Sequence, residues 1–418
     1  MFCSTRTSVR RLTRVLLATF LACALASPAM ADVRDADLLG GSALSSAPAL
    51  RAVAPDIAVP SAILVTGDGQ VLWSRDADVE RAMASTTKIM TALVALEQVQ
   101  DLSERVTVAR EAVSVGEADV GLRSGQELPF RRLVEAMLVH SGNDAALALA
   151  IHIAGSEDAF VALMNDKAAE LGLTHTHFSN VHGLDEDGHH TSAADLVTLA
   201  QVAMGNEVFR TAVAHKTVSL PNANGSREET FASSNKLLST FDGANGIKTG
   251  WTNDAGYCLV ASAGRGGIEL VAVVLGARTE RGRFTEAERL LSWGFEHYAT
   301  RTLTSVDTTA AHVVVSDYLD VTVPVVVGET TTTPVFDLWG DVGYVLDVPD
   351  ELVAPVAKGQ RVGTLSVTQG ERLLAQVPVV AARDVAVPTF VERVQIAVTR
   401  LWRRLFGGSL KAQPVTVL

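Results

Sequence analysis

Ser85 and Lys88 stand three residues apart in Ala84-Ser85-Thr86-Thr87-Lys88-Ile89-Met90-Thr91-Ala92-Leu93-Val94-Ala95-Leu96. A serine hydroxyl is a weak nucleophile until a neighbouring base takes its proton, and a lysine held among apolar residues can lose its charge and serve as that base. Ile89, Leu93 and Leu96 recur at helical spacing, which predicts a buried helix with Ser85 as its N-cap or in its first turn. Three residues make almost one turn, so Lys88 falls on the face of Ser85 with its amine in reach of the hydroxyl. Taken alone, the stretch fits a capped helix with a snorkelling lysine equally well. The rest of the chain decides.

Two further groups carry chemistry. His140-Ser141-Gly142-Asn143 lies between helical patterns, where a serine and an asparagine two apart can point into one cleft. They would supply a proton carrier and an amide that grips a peptide carbonyl, or merely cap helices. Gly246-Ile247-Lys248-Thr249-Gly250-Trp251 precedes two strand-like runs, 256–263 and 268–275. Lys248 and Thr249 are then expected on an edge strand of an antiparallel sheet, with Gly250 letting a substrate backbone approach and an extended peptide pairing with the edge. Ser233-Ser234-Asn235-Lys236 repeats the Ser-x-x-Lys spacing, but it follows Ser141 and stands just before Lys248. We read it as a decoy.

The chain of 418 residues is long enough for two or three domains, and its formal charge of -12 argues against nucleic acid as a partner. Residues 1–31 read as a secretory signal: Arg6, Arg10, Arg11 and Arg14 are followed by an apolar run and by Ala29-Met30-Ala31. The mature protein would therefore work outside the cytoplasm. Cys3 and Cys23 leave with that signal, and Cys258 remains alone in an apolar run as a small buried strand residue. Residues 32–55 read as a linker. A hairpin around Thr66-Gly67-Asp68-Gly69-Gln70 leads into the Ser85 helix, and helical patterns at 130–139, 144–154, 157–171 and 192–204 form a lobe. From Thr302 to Val387, short Val- and Thr-rich alternating runs predict a small β-sandwich. After Pro388, the tail 389–410 places Phe390, Val391, Val394, Val398, Leu401, Trp402 and Leu405 on one helical face, with Arg393, Arg400, Arg403 and Arg404 mostly on its flanks and opposite side. Such a helix is expected to lie in the plane of a membrane surface.

Ser-x-x-Lys, Ser-x-Asn and Lys-Thr-Gly, in that order, form the motif set of penicillin-binding proteins and class A β-lactamases. The chain resembles the D-alanyl-D-alanine carboxypeptidases among the low-molecular-mass penicillin-binding proteins, serine peptidase family S11. The resemblance extends to the Thr66-Gly67-Asp68-Gly69 hairpin, to Gly183-Leu184 and His190-Thr191-Ser192-Ala193, and to Asp242-Gly243, Ala255-Gly256-Tyr257 and Gly276-Ala277-Arg278-Thr279 with Gly282-Arg283. It implies an α/β (α+β) transpeptidase-like domain over 56–300, an antiparallel sheet flanked by helices plus a helical lobe, then the β-rich domain 301–388 and the helix 389–410. It also implies roles. Ser85 would attack the carbonyl between two D-alanines and Lys88 would be the general base, while Ser141 with Lys248 would return the proton to the leaving amine. Backbone N–H groups of Ser85 and Trp251 would bind the oxyanion. Asn143 would hold the acyl-side amide, and Thr249 and Arg283 the terminal carboxylate. β-Lactams would act as covalent inhibitors, no cofactor is implied, and the enzyme would work at the periplasmic face of the inner membrane. Trp251 departs from the histidine often found there.

Three rivals weigh less. The segment 174–190 holds five of the ten histidines, His175, His177, His182, His189 and His190, yet it lacks the His-Glu-x-x-His helix of a zinc peptidase. Residues 178–190 lack the Glu-x-x-Leu-Asn loop of a class A β-lactamase. A catalytically silent wall-binding scaffold would not need Ser85, Lys88, Asn143 and Lys248 together.

Overall fold

The computed structural model describes residues 54–222 and 225–417; the signal peptide and all but the last two linker residues lie outside them. The chain divides into two compact units, the second comprising Ser292 onward together with the turn Gly264–Glu269.

In the first unit, strands β1 (Ser61–Thr66) and β2 (Val71–Arg75) form the expected hairpin. A four-residue 3-10 turn, Ala84–Thr87, feeds helix α1 (Lys88–Gln98). A short ribbon of β3 (Arg105–Thr107) and β4 (Glu127–Pro129) precedes α2 (Phe130–Val139), α3 (Asn143–Ala154), α4 (Glu157–Glu170), α5 (Ala193–Gly205) and α6 (Glu207–Val213). A second ribbon, β5 (Thr217–Pro221) with β6 (Glu228–Ala232), and the short α7 (Leu237–Thr240) lead into β7 (Ala244–Thr252), β8 (Gly256–Arg265), β9 (Ile268–Ala277) and α8 (Glu280–His297). The main sheet runs β2-β1-β9-β8-β7, so β7 is an edge strand as anticipated.

Residues Lys88 to Leu96 of α1 are buried on every side. A helix with no solvent face sits inside a core, and α1 packs among α3, α4 and α5. Its first turn is thereby fixed beside the edge of the sheet. The expectation that Ser85 caps or begins this helix needs correction: Ser85 lies in the 3-10 turn, and its side chain makes no capping bond. Thr86 and Thr87 bind the turn instead, donating to the carbonyls of Met83 (2.6 Å) and Ala84 (2.8 Å). The Ser85 hydroxyl takes no part in the turn's own bonding.

Between Tyr298 and Ala381 the second unit is built of strands, with one 3-10 turn at Asp337–Trp339. Strands β10 (Tyr298–Thr304) and β13 (Thr331–Phe336) pair as a ribbon around β11 (Thr309–Val315) and β12 (Thr322–Val327) in sequence. With β14 (Val342–Asp347), β15 (Glu351–Leu352), β16 (Arg361–Gln369) and β17 (Arg372–Ala381), the larger sheet runs β14-β16-β17-β12-β11-β15. Its core contains Val313, Val325, Leu365, Val377 and Val379. The tail helix, α9 (Phe390–Phe406), is shorter than the expected 389–410 because Gly407 and Gly408 end it; Thr389 and Glu392 close a capping box at its start. Beyond it, β18 (Val415–Thr416) pairs with β11, an element the sequence did not announce.

Candidate active site

Ser85 Oγ lies 2.9 Å from Lys88 Nζ. The amine is fully buried and also donates to Asn143 Oδ1 (2.7 Å) and to the His182 carbonyl (2.6 Å). Burial first, and then the neighbouring charge of Lys248, pull the Lys88 pKa well below the ordinary lysine value; Asp144 and Glu117 oppose that shift.

Ser141 and Asn143 flank the cleft from the turn between α2 and α3. Neither is a helix cap: Gly142 holds that position and no side chain caps α3. Ser141 takes φ +77°, a left-handed conformation unfavourable for a residue with a Cβ, which persists only when its surroundings enforce it. The Asn143 amide donates to the Gly116 carbonyl (3.1 Å), and its backbone N–H donates to the Ala118 carbonyl (2.6 Å). Next to it, the buried Asp144 carboxylate receives the N–H groups of Val120, Leu122 and Ala145. The loop at 116–122 is thus tied to the same turn.

The opposite wall is β7. Lys248 Nζ, 1% exposed, donates to Ser141 Oγ (2.9 Å) and to the Thr249 carbonyl (3.0 Å). Burial and then Arg283 lower its pKa to about 7. Thr249 Oγ1 is 2.6 Å from Ser234 Oγ, so the supposed decoy segment contributes a hydroxyl to the cleft. Its neighbour Asn235 donates to the Gly246 carbonyl (2.9 Å), which fastens the segment to β7. Arg283 is buried, donates through Nη1 to the Gly250 carbonyl (2.9 Å) and stands over the rings of Tyr257 and Phe284. Trp251 is 47% exposed, with its ring 5.8 Å from Tyr257.

The profile of the D-alanyl-D-alanine carboxypeptidase family, peptidase S11, matches residues 49–279, and that of the penicillin-binding protein 5 C-terminal domain matches 298–387. The chain belongs to the S11 D-alanyl-D-alanine carboxypeptidases. It is 35% identical to DacC of Escherichia coli over 375 residues, covering 85% of this chain and 91% of the relative. Against DacF of Bacillus subtilis it is 34% identical over 342 residues, 79% and 87% of the two chains. The crystal structure of Francisella tularensis DacD superposes with a TM-score of 0.58 at 28% identity, covering 80% of this chain and 95% of that one. The second unit is accordingly the β-sandwich of this family.

Within the S11 frame, all nine residues singled out in the sequence fall at or beside this cleft. One reason changes. The space a Cβ would fill at Gly250 is occupied by the chain's own Ala84, Ser85 and Met83, at 3.0 to 3.1 Å. The glycine lets β7 approach the serine turn, and the room is not left for substrate. Several participants escaped the sequence analysis: Thr87, Asp144, Ser234, Gly183 and the carbonyl of His182. In the sequence Thr87 stands only within the Ser85 stretch, Gly183 in a family-like pair and Ser234 in the repeated Ser-x-x-Lys spacing, none with a role. Ala84 takes φ +50°, and Gly183 at φ +93° presses against its carbonyl so closely that a Cβ would lie 2.0 Å from that oxygen.

The histidine-rich segment buttresses the serine turn. His189 Nδ1 accepts from the Ser179 N–H (3.0 Å), so its proton sits on Nε2 and is donated to Thr87 Oγ1 at 2.7 Å. Burial holds the His189 pKa down to about 4 and that of His182 to about 3, so both stay neutral. Cys258 is a buried strand residue whose thiol is pushed up to about 11 by burial.

Gly250→Ala should leave the protein folded but displace the serine turn by tenths of an ångström. Acylation by a fluorescent penicillin should slow by about a hundredfold, the order expected for small misplacements of reacting groups. Stopped-flow labelling beside a thermal melt checks both halves.

Proposed function

We propose that this chain is a serine-type D-Ala-D-Ala carboxypeptidase that removes the terminal D-alanine from peptidoglycan stem peptides through an acyl-enzyme, and that β-lactams acylate the same serine. One observation carries the reading. Two of the three partners of Lys88 Nζ, the Asn143 amide oxygen and the His182 carbonyl, can only accept. A neutral amine spends both its N–H bonds on them, and its lone pair is left facing the Ser85 hydroxyl, the one partner able to donate.

Ser85 Oγ attacks the scissile carbonyl as its proton passes to Lys88. The oxyanion is received by the backbone N–H groups of Ser85 and Trp251, each such donor being worth about 3 kcal/mol. Asn143 keeps one amide proton for the acyl-side carbonyl. Ser141 hands its proton to the departing D-alanine nitrogen and is reprotonated by Lys248. Water then attacks the Ser85 ester, its proton returning to Lys248 through Ser141 while Lys88 gives the Ser85 oxygen back its proton. Thr249 takes the terminal carboxylate, while Arg283, already bonded to the Gly250 carbonyl, adds positive field and holds the strand.

The exported location, at the periplasmic face of the inner membrane, follows from the same reading and from the N-terminal sequence. For α9 we propose the membrane surface as partner. No residue of the helix is buried; Phe390, Trp402 and Leu405 are 82%, 63% and 68% exposed. Its half-buried positions are Ile396, Arg400 and Arg403, and Arg403 pairs with Asp320 at 2.6 Å, so a mainly polar face meets the protein. No single helix among the described residues is long and apolar enough to cross a membrane.

Ser85→Ala should abolish the covalent penicillin band on a gel, and a persisting adduct would place the nucleophile elsewhere. The turnover rate should rise with pH at values below the ordinary lysine range, because the base works only after losing its proton and burial brings that loss down from that range. A falling profile with the protein still folded contradicts a neutral Lys88. Leu401→Asp with Leu405→Asp should move the protein from the membrane pellet to the supernatant at unchanged activity on a short peptide. This pair is preferable to deleting the tail, which would also strip β18 from β11.

A further inference from the structure

An unpaired end strand of a sheet is a template for another chain, and proteins guard such strands by shortening, bulges, proline, lysine or a covering segment. The sheet of the second unit treats its two ends differently. On the outer side of β11, β15 pairs with Val314 and Val315 and β18 with Ala311 and His312, so the C-terminal tail covers what β15 leaves open. At the other end, no strand among the described residues pairs with the outer side of β14.

β14 carries none of the usual guards. Its six residues, Val342-Gly343-Tyr344-Val345-Leu346-Asp347, pair with β16 in unbroken register, whereas β16 against β17 shifts register twice. The strand holds no proline and no lysine. Val345 is 60% exposed, and Tyr344 is exposed as well, its hydroxyl donated to the Leu303 carbonyl at 3.0 Å. Alternate residues of an antiparallel edge turn their N–H and C=O groups outward, so β14 presents a row of unused donors and acceptors.

The sheet also rolls far enough for both its ends to face one space. A cavity of about 460 Å³ is walled by Tyr344, Val345 and Leu346 of β14 together with His312 of β11 and Val415 and Thr416 of β18. Asp350 lines it, and no lysine or arginine does. Asp341 precedes β14 and Asp347 ends it; like Asp350 they are exposed, and none of the three carboxylates enters a hydrogen bond or ion pair.

We infer that β14 is a docking edge for an extended, basic segment of a partner protein. The segment adds a strand to β14 through main-chain hydrogen bonds, its apolar side chains enter the cavity, and its lysines or arginines meet Asp341, Asp347 and Asp350. Charge selects this occupant over a second copy of the chain. Two β14 strands paired edge to edge would bring the carboxylates of both copies together, and like charges facing across strands are destabilising. Docking there involves the β unit alone and is independent of the chemistry proposed for Ser85.

The test titrates the full-length protein into three capped, fluorescently labelled hexapeptides: alternating Lys-Val, alternating Glu-Val and alternating Lys-Pro. The last keeps the charge of the first but lacks half its N–H groups and cannot add as a strand. By anisotropy, the Lys-Val peptide should bind at least about tenfold more tightly than either of the others, since like charges across an interface and lost main-chain bonds both weaken docking. Amide hydrogen exchange should slow at 342–347 when it is bound. Asp347→Asn with Asp350→Asn should weaken its binding by about tenfold, and Val345→Lys, a charge on the open edge, should weaken it as well. No binding of the Lys-Val peptide, equal binding of the Lys-Pro peptide, protection confined to residues outside β14, or unchanged affinity in the double variant overturns the docking edge. Dimerisation of the protein that Val345→Lys abolishes, with no peptide bound, gives the edge to a second copy and overturns the basic partner.

Discussion

Lys88 is fully buried and Lys248 is 1% exposed, and both amines face one cleft. Removing a charged amine from water costs several kcal/mol, and two in one cleft repel each other besides. A carboxylate pressed against each would relieve that cost by locking the charge in place. The chain instead offers neutral acceptors: carbonyl and amide oxygens and hydroxyls at 2.6 to 3.0 Å. Asp144, the stronger in effect of the two acids that act on Lys88, spends its oxygens on three backbone N–H groups. Polar but uncharged surroundings satisfy an amine in either protonation state. The proposed chemistry needs that indifference, because the same nitrogen must give up and regain a proton in each cycle.

Keeping the amines in place requires a rigid frame. Helix α1 has no solvent face along Lys88 to Leu96, so the lysine cannot swing outward without disturbing the core. The serine turn is then fixed from three directions. Gly250 allows β7 to touch it, Gly183 presses on the Ala84 carbonyl, and the hydrogen bonds from His189 to Thr87 and from Thr87 to Ala84 fasten it from behind. Left-handed conformations at Ala84, in the serine turn, and at Ser141, in the turn between α2 and α3, show where the fold spends stability to aim side chains. The histidines thus serve geometry, and their low pKa values follow from that burial.

The C-terminal tail obeys the same economy on a smaller scale. A helix with its apolar side exposed would be expected to move freely, yet Arg403 pairs with Asp320, Lys411 with Glu351, and β18 adds to β11. These contacts hold the polar side of α9 against the β unit and leave the apolar side turned outward.

Much was legible from the chain alone. The Ser-x-x-Lys, Ser-x-Asn and Lys-Thr-Gly groups, the helices at 130–139 and 157–170 and the edge position of β7 all follow from local spacing, because each depends on the periodicity of one segment. The ribbons β3 with β4, β5 with β6 and β10 with β13, and the short α6, went unseen. Their strands are brief and half exposed, and pairing with distant partners creates them where local pattern does not. The same limit hid Ser234 beside Thr249 and His189 behind Thr87. Residue type and spacing determined which groups could react. Which of them share a cleft, which are buried enough to lose a proton, and what Gly250 makes room for are matters of long-range packing, and only the tertiary structure decided them.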